Sequence, residues 1–304
     1  MKRSEMNYKE LFDKWCGLNN HGRVWIVTDN VQMPLAQEIA WDTAGEVRIF
    51  SNNAELLDEL KSLSSDDLLI ALFSINTFLF QEANESFSPF GKPDWLAAKY
   101  TFIRLDISGE SLKQGLSTTK EDVYSKIAEM ERFTSGQTVH VTNAAGTDIV
   151  MQIHPFTTCS HEVTEKDSHA FLPPSETSSD VCTETANGTI VVDVTVGQLY
   201  HYGSLHGYFG MVPSPVTITV DHGIITDITG NDMAEELKQK LFALPADCRR
   251  IVEIGQGLSD MTPTGLIGVD ECIRSTCHFG FGDGSSCGTH LDVVIDRPTI
   301  KAIE

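Results

Sequence analysis

The first third of the chain switches repeatedly between two spacings of apolar residues. Met6, Leu11, Trp15 and Leu18 recur near one face at helical spacing, which predicts a helix over residues 5–19. Residues 24–27 (VWIV) then form a short apolar run, predicted as a buried strand that ends at Thr28-Asp29-Asn30. Residues 34–44 fit a helix, 46–50 a strand and 54–63 a third helix. Asp66 and Asp67 precede another strand-like run over 68–73, and Pro89, Gly91 and Pro93 mark a loop. Residues 100–105 read as a strand and 119–133 as a helix. Strand alternating with helix predicts a small parallel α/β lobe. It carries neither a GxGxxG nor a P-loop pattern, so nucleotide binding is not indicated.

After about residue 136 the spacing changes. Strand-like runs dominate, at 138–142, 148–153, 188–196, 215–220 and 223–229. Turn residues separate them: Asn143 and Gly146, Asn187-Gly188, Asp221-His222-Gly223, Gly230-Asn231. One helix is expected over 233–241. The predicted architecture is therefore α/β (α+β) in two parts: a small N-terminal parallel α/β lobe over 1–135 and a β-rich domain over 136–304.

Composition narrows the function classes. At 304 residues and 41% hydrophobic, the chain has enough apolar mass for one large or two small cores. It has no apolar run of membrane-spanning length and no apolar signal core at its start, so a cytoplasmic protein is the expectation. The net charge of −21 argues against nucleic acid or an anionic membrane as partner, since both demand a basic surface. Seven cysteines without a CxxC spacing read as reduced thiols rather than a disulfide framework or zinc site.

The candidate chemistry concentrates in residues 251–300, which hold Glu253, Glu271, His278, His290 and Asp292 among several glycines. His290 and Asp292 are two apart, which on a strand puts both on one face. Imidazole and carboxylate on short Gly-punctuated strands suit a zinc, manganese or iron site. Each residue alone has an ordinary alternative: a hydrogen-bonded core histidine, or a structural His–Asp pair. Several ionisable groups on neighbouring apolar strands are harder to dismiss, because burying each unpaired costs several kcal/mol that a divalent cation would offset. Glu176 follows Pro173, Pro174 and Ser175, where the prolines restrict the backbone; a solvated loop acid is its alternative. Asp148 reads as a turn residue, with a pocket wall as its alternative. The polar-aromatic group Tyr200, His201, Tyr202, His206 and Tyr208 either lines a pocket or forms a half-exposed loop.

The motifs carry a resemblance. FIRLDI with Arg104, AAGTD at 144–148, PPSE at 173–176, ANGTIVVD at 186–193, VEIGQG at 252–257, DECIRSTCHFGFG at 270–282 and THLD at 289–292 occur in order over about two thirds of the chain. From Lys99 onward the chain resembles the aminopeptidase T/aminopeptidase S family of leucyl aminopeptidases. That resemblance implies two divalent ions, Zn, Co or Mn, held by Glu176, Glu253, His278, His290 and Asp292. It implies Glu253 as catalytic base or partner of the metal-activated water, a peptide substrate and a homodimer. The chain departs from the peptidases at Ser285, where they place a tyrosine. The same fold resembles a second enzyme, 2,5-dihydroxypyridine 5,6-dioxygenase, which would imply one Fe(II) on His290, Asp292 and a further histidine, with His278 the nearest candidate. A third expectation is a metal-free relative that binds a peptide or small molecule.

Overall fold

A helix over Tyr8–Cys16 opens the computed structural model, which describes residues 7–18, 22–50, 54–80, 86–89, 91–164, 167–182, 184–283 and 286–303. Met6 and Ser285, named above, lie outside the described residues. The Asn7 side chain caps the helix by accepting from the Glu10 N–H at 3.0 Å. Gly17 ends it at φ 63°, a left-handed conformation that favours glycine. Tyr8, Leu11, Phe12 and Trp15 face inward and are fully buried.

Four parallel strands follow: β1 (Val24–Thr28), β2 (Glu46–Ile49), β3 (Leu68–Leu72) and β4 (Lys99–Ile103). β1 and β3 are buried along their whole length, as their unbroken apolar runs require. Trp25, Val27, Leu69, Ala71, Tyr100 and Phe102 alternate onto one face and meet Phe73, Phe87 and Phe171. Asp67 holds the start of β3: its carboxylate lies 2.8 Å from Arg23 Nη2 and accepts from the Ser64 N–H at 2.7 Å. Those contacts, the Arg23 hydrogen bond foremost, keep its pKa well below the usual carboxylate range.

A helix that the apolar spacing did not signal lies at Gly109–Ser117, capped by Ser108, whose Oγ accepts from Ser111 N at 3.1 Å. The next helix, Lys120–Met130, leads into β5 (Gln137–Thr142), β6 (Asp148–Ile153) and the short β7 (Thr157–Thr158). The chain then supplies β8 (His169–Leu172), which pairs parallel with β4 and completes a five-stranded sheet in the order β2-β1-β3-β4-β8. After it come β9 (Glu176–Asp180), β10 (Asn187–Val192), β11 (Thr195–His201), β12 (Ser204–Met211), β13 (Val216–Asp221) and β14 (Ile224–Thr229). The single strand expected over 188–196 is thus two strands, β10 and β11, in different sheets. Helix Asp232–Phe242, β15 (Ile251–Gly257), a short helix Ile267–Asp270, β16 (Thr276–Phe281), β17 (Thr289–Asp296) and β18 (Thr299–Ala302) follow.

Contacts divide the chain into Met1–Thr119 with Cys159–Ser175, and Lys120–Thr158 with Glu176–Glu304. This differs from one cut near residue 135, for two reasons. Met130 and Phe133, from the helix expected to close the first lobe, belong to the core of the second unit. Residues 159–175 return to the first because β8 finds its partner in β4. The second unit contains two antiparallel sheets, β14-β13-β10-β6-β5-β18 and β12-β11-β17-β16-β15-β9-β7. Alternate residues of both sheets, including Val139, Ile149, Ile190 and Ile218 from one and Ile254, Phe279, Leu291 and Val293 from the other, share one apolar core. Each such buried side chain contributes roughly 1.5–3 kcal/mol. All seven cysteines are free. No helix among the described residues is long and apolar enough to cross a membrane.

Candidate metal centre

With Ile254, Phe279, Leu291 and Val293 turned into the core, the residues between them take the opposite face of the seven-stranded sheet. Across four neighbouring strands, Glu176 of β9 lies opposite Gly257 of β15, Gly255 opposite His278 of β16, Glu253 opposite Gly280, and Gly280 opposite Asp292 of β17. Directly opposed residues project from the same face, so Glu176, Glu253, His278, His290 and Asp292 form one polar patch. The ligand atoms of Glu253, His278 and Asp292 lie within 4.8 Å of one another. Glu176 Oε2 is 3.4 Å and Glu253 Oε1 3.8 Å from His278 Nε2. His290 Nε2 is 3.1 Å from Asp292 Oδ2.

Two glycines make room for this gathering. A methyl on Gly255 would overlap the His278 ring. A Cβ on Gly280 would come 2.9 Å from Glu253 Cβ, 3.1 Å from Asp292 Oδ1 and 3.2 Å from His290 Cε1. The glycines that punctuate the sequence motif therefore serve close approach of side chains across strands.

The electrostatics follow from burial and charge together. His278 is 2% exposed. Burial opposes its protonation, but Glu176, Glu253 and Glu271 outweigh that and push its pKa up to about 10. For His290 the neighbouring Asp292 carboxylate dominates over burial, and its pKa also rises to about 10. Burial pulls Glu253 upward; the adjacent His278, the Ser178 hydroxyl and the His290 charge outweigh it and bring its pKa down to about 2. His290 Nδ1 lies 3.2 Å from the Gly282 carbonyl, which directs Nε2 toward Asp292. Two buried atoms of the patch, His278 Nδ1 and Asp292 Oδ1, have no hydrogen-bond partner among the described residues. Polar atoms are rarely left so, and the donor set, two imidazoles and three carboxylates, suits a divalent cation of the Zn, Mn or Fe type.

One contributor escaped the motif reading, and one that it named takes a different place. Ser178 sits two residues beyond Glu176 on the same strand face, opposite Gly255, and donates to Glu253. Period-two counting from Glu176 would have found it. Glu271, named from the sequence beside the proposed ligands, follows the short helix Ile267–Asp270, is 9% exposed, and adds its charge to the field on His278.

Both likenesses expected from the motifs are found among known proteins. The structure of 2,5-dihydroxypyridine dioxygenase from Pseudomonas putida KT2440 matches with a TM-score of 0.57 at 16% identity, covering 97% of this chain and 92% of that one. Wild-type AmpT from Thermus thermophilus matches with a TM-score of 0.55 at 13% identity, covering 97% and 94%. At such identities these matches speak for a shared fold, the mixed α/β architecture with one parallel sheet and antiparallel partners. No curated protein sequence matches the chain. The model of one family, described as NicX, 2,5-dihydroxypyridine 5,6-dioxygenase, matches residues 31–262, a span that includes Glu176 and Glu253 and stops ahead of His278. That span exceeds half of the 304 residues, and the chain belongs to the 2,5-dihydroxypyridine 5,6-dioxygenase family.

Proposed function

We propose that this protein is a metal-dependent hydrolase of the aminopeptidase kind, with divalent ions held by Glu176, Glu253, His278, His290 and Asp292. The observation that carries the reading is the number and type of donors on one sheet face. Two ions would use all five donors, four positive charges against three carboxylates, whereas one ion on His278, His290 and Asp292 would leave Glu176 and Glu253 unused. When bound, such a cation supplies Lewis acidity and lowers the pKa of a coordinated water toward neutrality.

The chain's own groups have separable tasks. Glu253 is ionised at neutral pH, the form in which a carboxylate binds a cation, and is the carboxylate that the peptidase resemblance implies as base. The Gly282 carbonyl orients His290, and the His290–Asp292 pair keeps the open end of the patch polar. The acidic face favours a substrate bearing an ammonium group, as the free N-terminus of a peptide does.

Family membership favours a second reading: a ring-cleaving dioxygenase with one Fe(II) on His278, His290 and Asp292. Metal analysis of protein purified without chelator separates the two. The hydrolase reading expects about two ions per chain, and hydrolysis of leucyl p-nitroanilide with added Co or Zn. One iron per chain, with O₂ consumption on a dihydroxypyridine and no peptidase activity, would replace it. His290→Ala should abolish stoichiometric metal uptake in either case; unchanged uptake would remove the ligand assignment.

A further inference from the structure

β11 does not run evenly along β17. Thr195 pairs with Val294 and Val196 with Val293, but farther on Tyr200 pairs with His290 and His201 with Thr289. From 196 to 200 is four residues and from 293 to 290 is three, so β11 carries one extra residue in a bulge. An extra residue reverses the alternation of side chains beyond it, and bulges re-aim side chains beside functional sites. Before the bulge, Val196 points into the apolar core. Thr195 and Gly197 take the other face, where Thr195 Oγ1 donates to Asp270 and a Cβ on Gly197 would come 3.1 Å from Ile267. After it, Leu199 is the core residue.

Without the bulge Tyr200 would follow Val196 into the core. With it, Tyr200 stands directly across from His290, so both leave the sheet on the face that carries Asp292, Glu253 and His278. His201 takes the opposite side, with Nδ1 2.6 Å from Thr289 Oγ1. The His290 side chain is 43% exposed against 2% for His278, so this is the open end of the donor row. Tyr200 is half-buried there, and a phenol is one of few side chains that present both an apolar wall and a hydrogen-bond donor.

We propose that Tyr200 is a further substrate-contacting residue: its O–H donates a hydrogen bond to the oxygen of a substrate carbonyl brought to the His290 end of the site. The assignment rests on the metal-centre reading above, and the test keeps the two apart. Wild type, Tyr200→Phe and, as a surface control, Tyr124→Phe are loaded with Co(II). Cobalt per chain is counted, and leucine hydroxamate is titrated through the cobalt absorption bands. The expected result is equal cobalt in all three, with hydroxamate binding about tenfold weaker in Tyr200→Phe alone. With leucyl p-nitroanilide, kcat should fall by about 100-fold in Tyr200→Phe, the usual cost of removing one donor to a developing oxyanion. Equal cobalt with unchanged hydroxamate affinity and kcat overturns the role of Tyr200 and leaves the metal centre standing. Absence of cobalt from the wild type overturns the metal centre, and the role of Tyr200 with it.

Discussion

His278 and His290 tie the chemistry of the site to pH. Each has a pKa of about 10, pushed up by neighbouring carboxylates. A cation needs the neutral imidazole, so binding below pH 10 must expel the protons these residues hold. Apparent metal affinity should therefore rise with pH through neutrality, by up to about tenfold per pH unit for each proton released. Competition with a chelator of known affinity between pH 6 and 9 measures the slope, and a flat profile would contradict it. The metal-free protein should show the opposite trend. A histidine with a raised folded pKa stabilises most below its unfolded pKa, about 6.5. That contribution is lost as pH climbs toward 10, so thermal midpoints without metal should fall from pH 6.5 upward. Glu253 works from the acid side: its pKa of about 2 gives a contribution present above the ordinary glutamate range and lost as pH drops toward 2.

At the scale of elements, the site depends on strands with side chains missing at chosen positions. Gly255 and Gly280 sit across from His278 and from Glu253 and Asp292 respectively. Gly280→Ala would press a methyl between Glu253, Asp292 and His290, while Gly255→Ala would displace the His278 ring. Overpacking of this kind costs about 1–3 kcal/mol, and metal affinity should fall with stability because the donors themselves must move. Denaturant unfolding alongside metal titration checks this; a Gly255→Ala protein that binds metal as tightly as wild type would show that His278 is not held by that approach. The sequence displayed some of this and hid the rest. The His290–Asp292 pair was legible because a strand repeats every two residues. The meeting of Glu176 with Glu253 and His278 came from the family resemblance alone, since it depends on β9 pairing with β15 across some seventy residues of chain, and alternation carries no partner information. The bulge in β11 was hidden for a similar reason: it exists only relative to β17, so the side taken by Tyr200 could not be counted from its own strand. Helix Gly109–Ser117 escaped because its glycines and serines are weak helix formers, and its signal lies in the Ser108 cap rather than in apolar spacing.

For the whole molecule, the decisive feature is how the chain is shared between its two units. An apolar pattern read along the sequence changes character near residue 136, and a β-rich fragment 136–304 looks self-sufficient on that reading. The fold assigns the parts differently. Such a fragment would lose helix Lys120–Met130 together with Met130 and Phe133, both buried in the core shared by the two antiparallel sheets. Their removal costs the second unit roughly 1.5–3 kcal/mol for each side chain. The fragment would also retain β8 without β4, leaving the backbone groups of His169–Leu172 without the parallel partner they have in the full chain. An apolar strand stripped of its partner is an association hazard. Fragment 136–304 should therefore aggregate or unfold without cooperativity. A chain joining residues 120–158 to 176–304 through a short Gly/Ser linker keeps every strand of both antiparallel sheets and all five proposed ligands. It should be the better folded of the two, and the one that takes up metal. Circular dichroism melts and metal content of the two fragments decide the matter. A cooperative, metal-binding 136–304 would mean that the spacing of apolar residues, rather than strand pairing, marks where this protein divides.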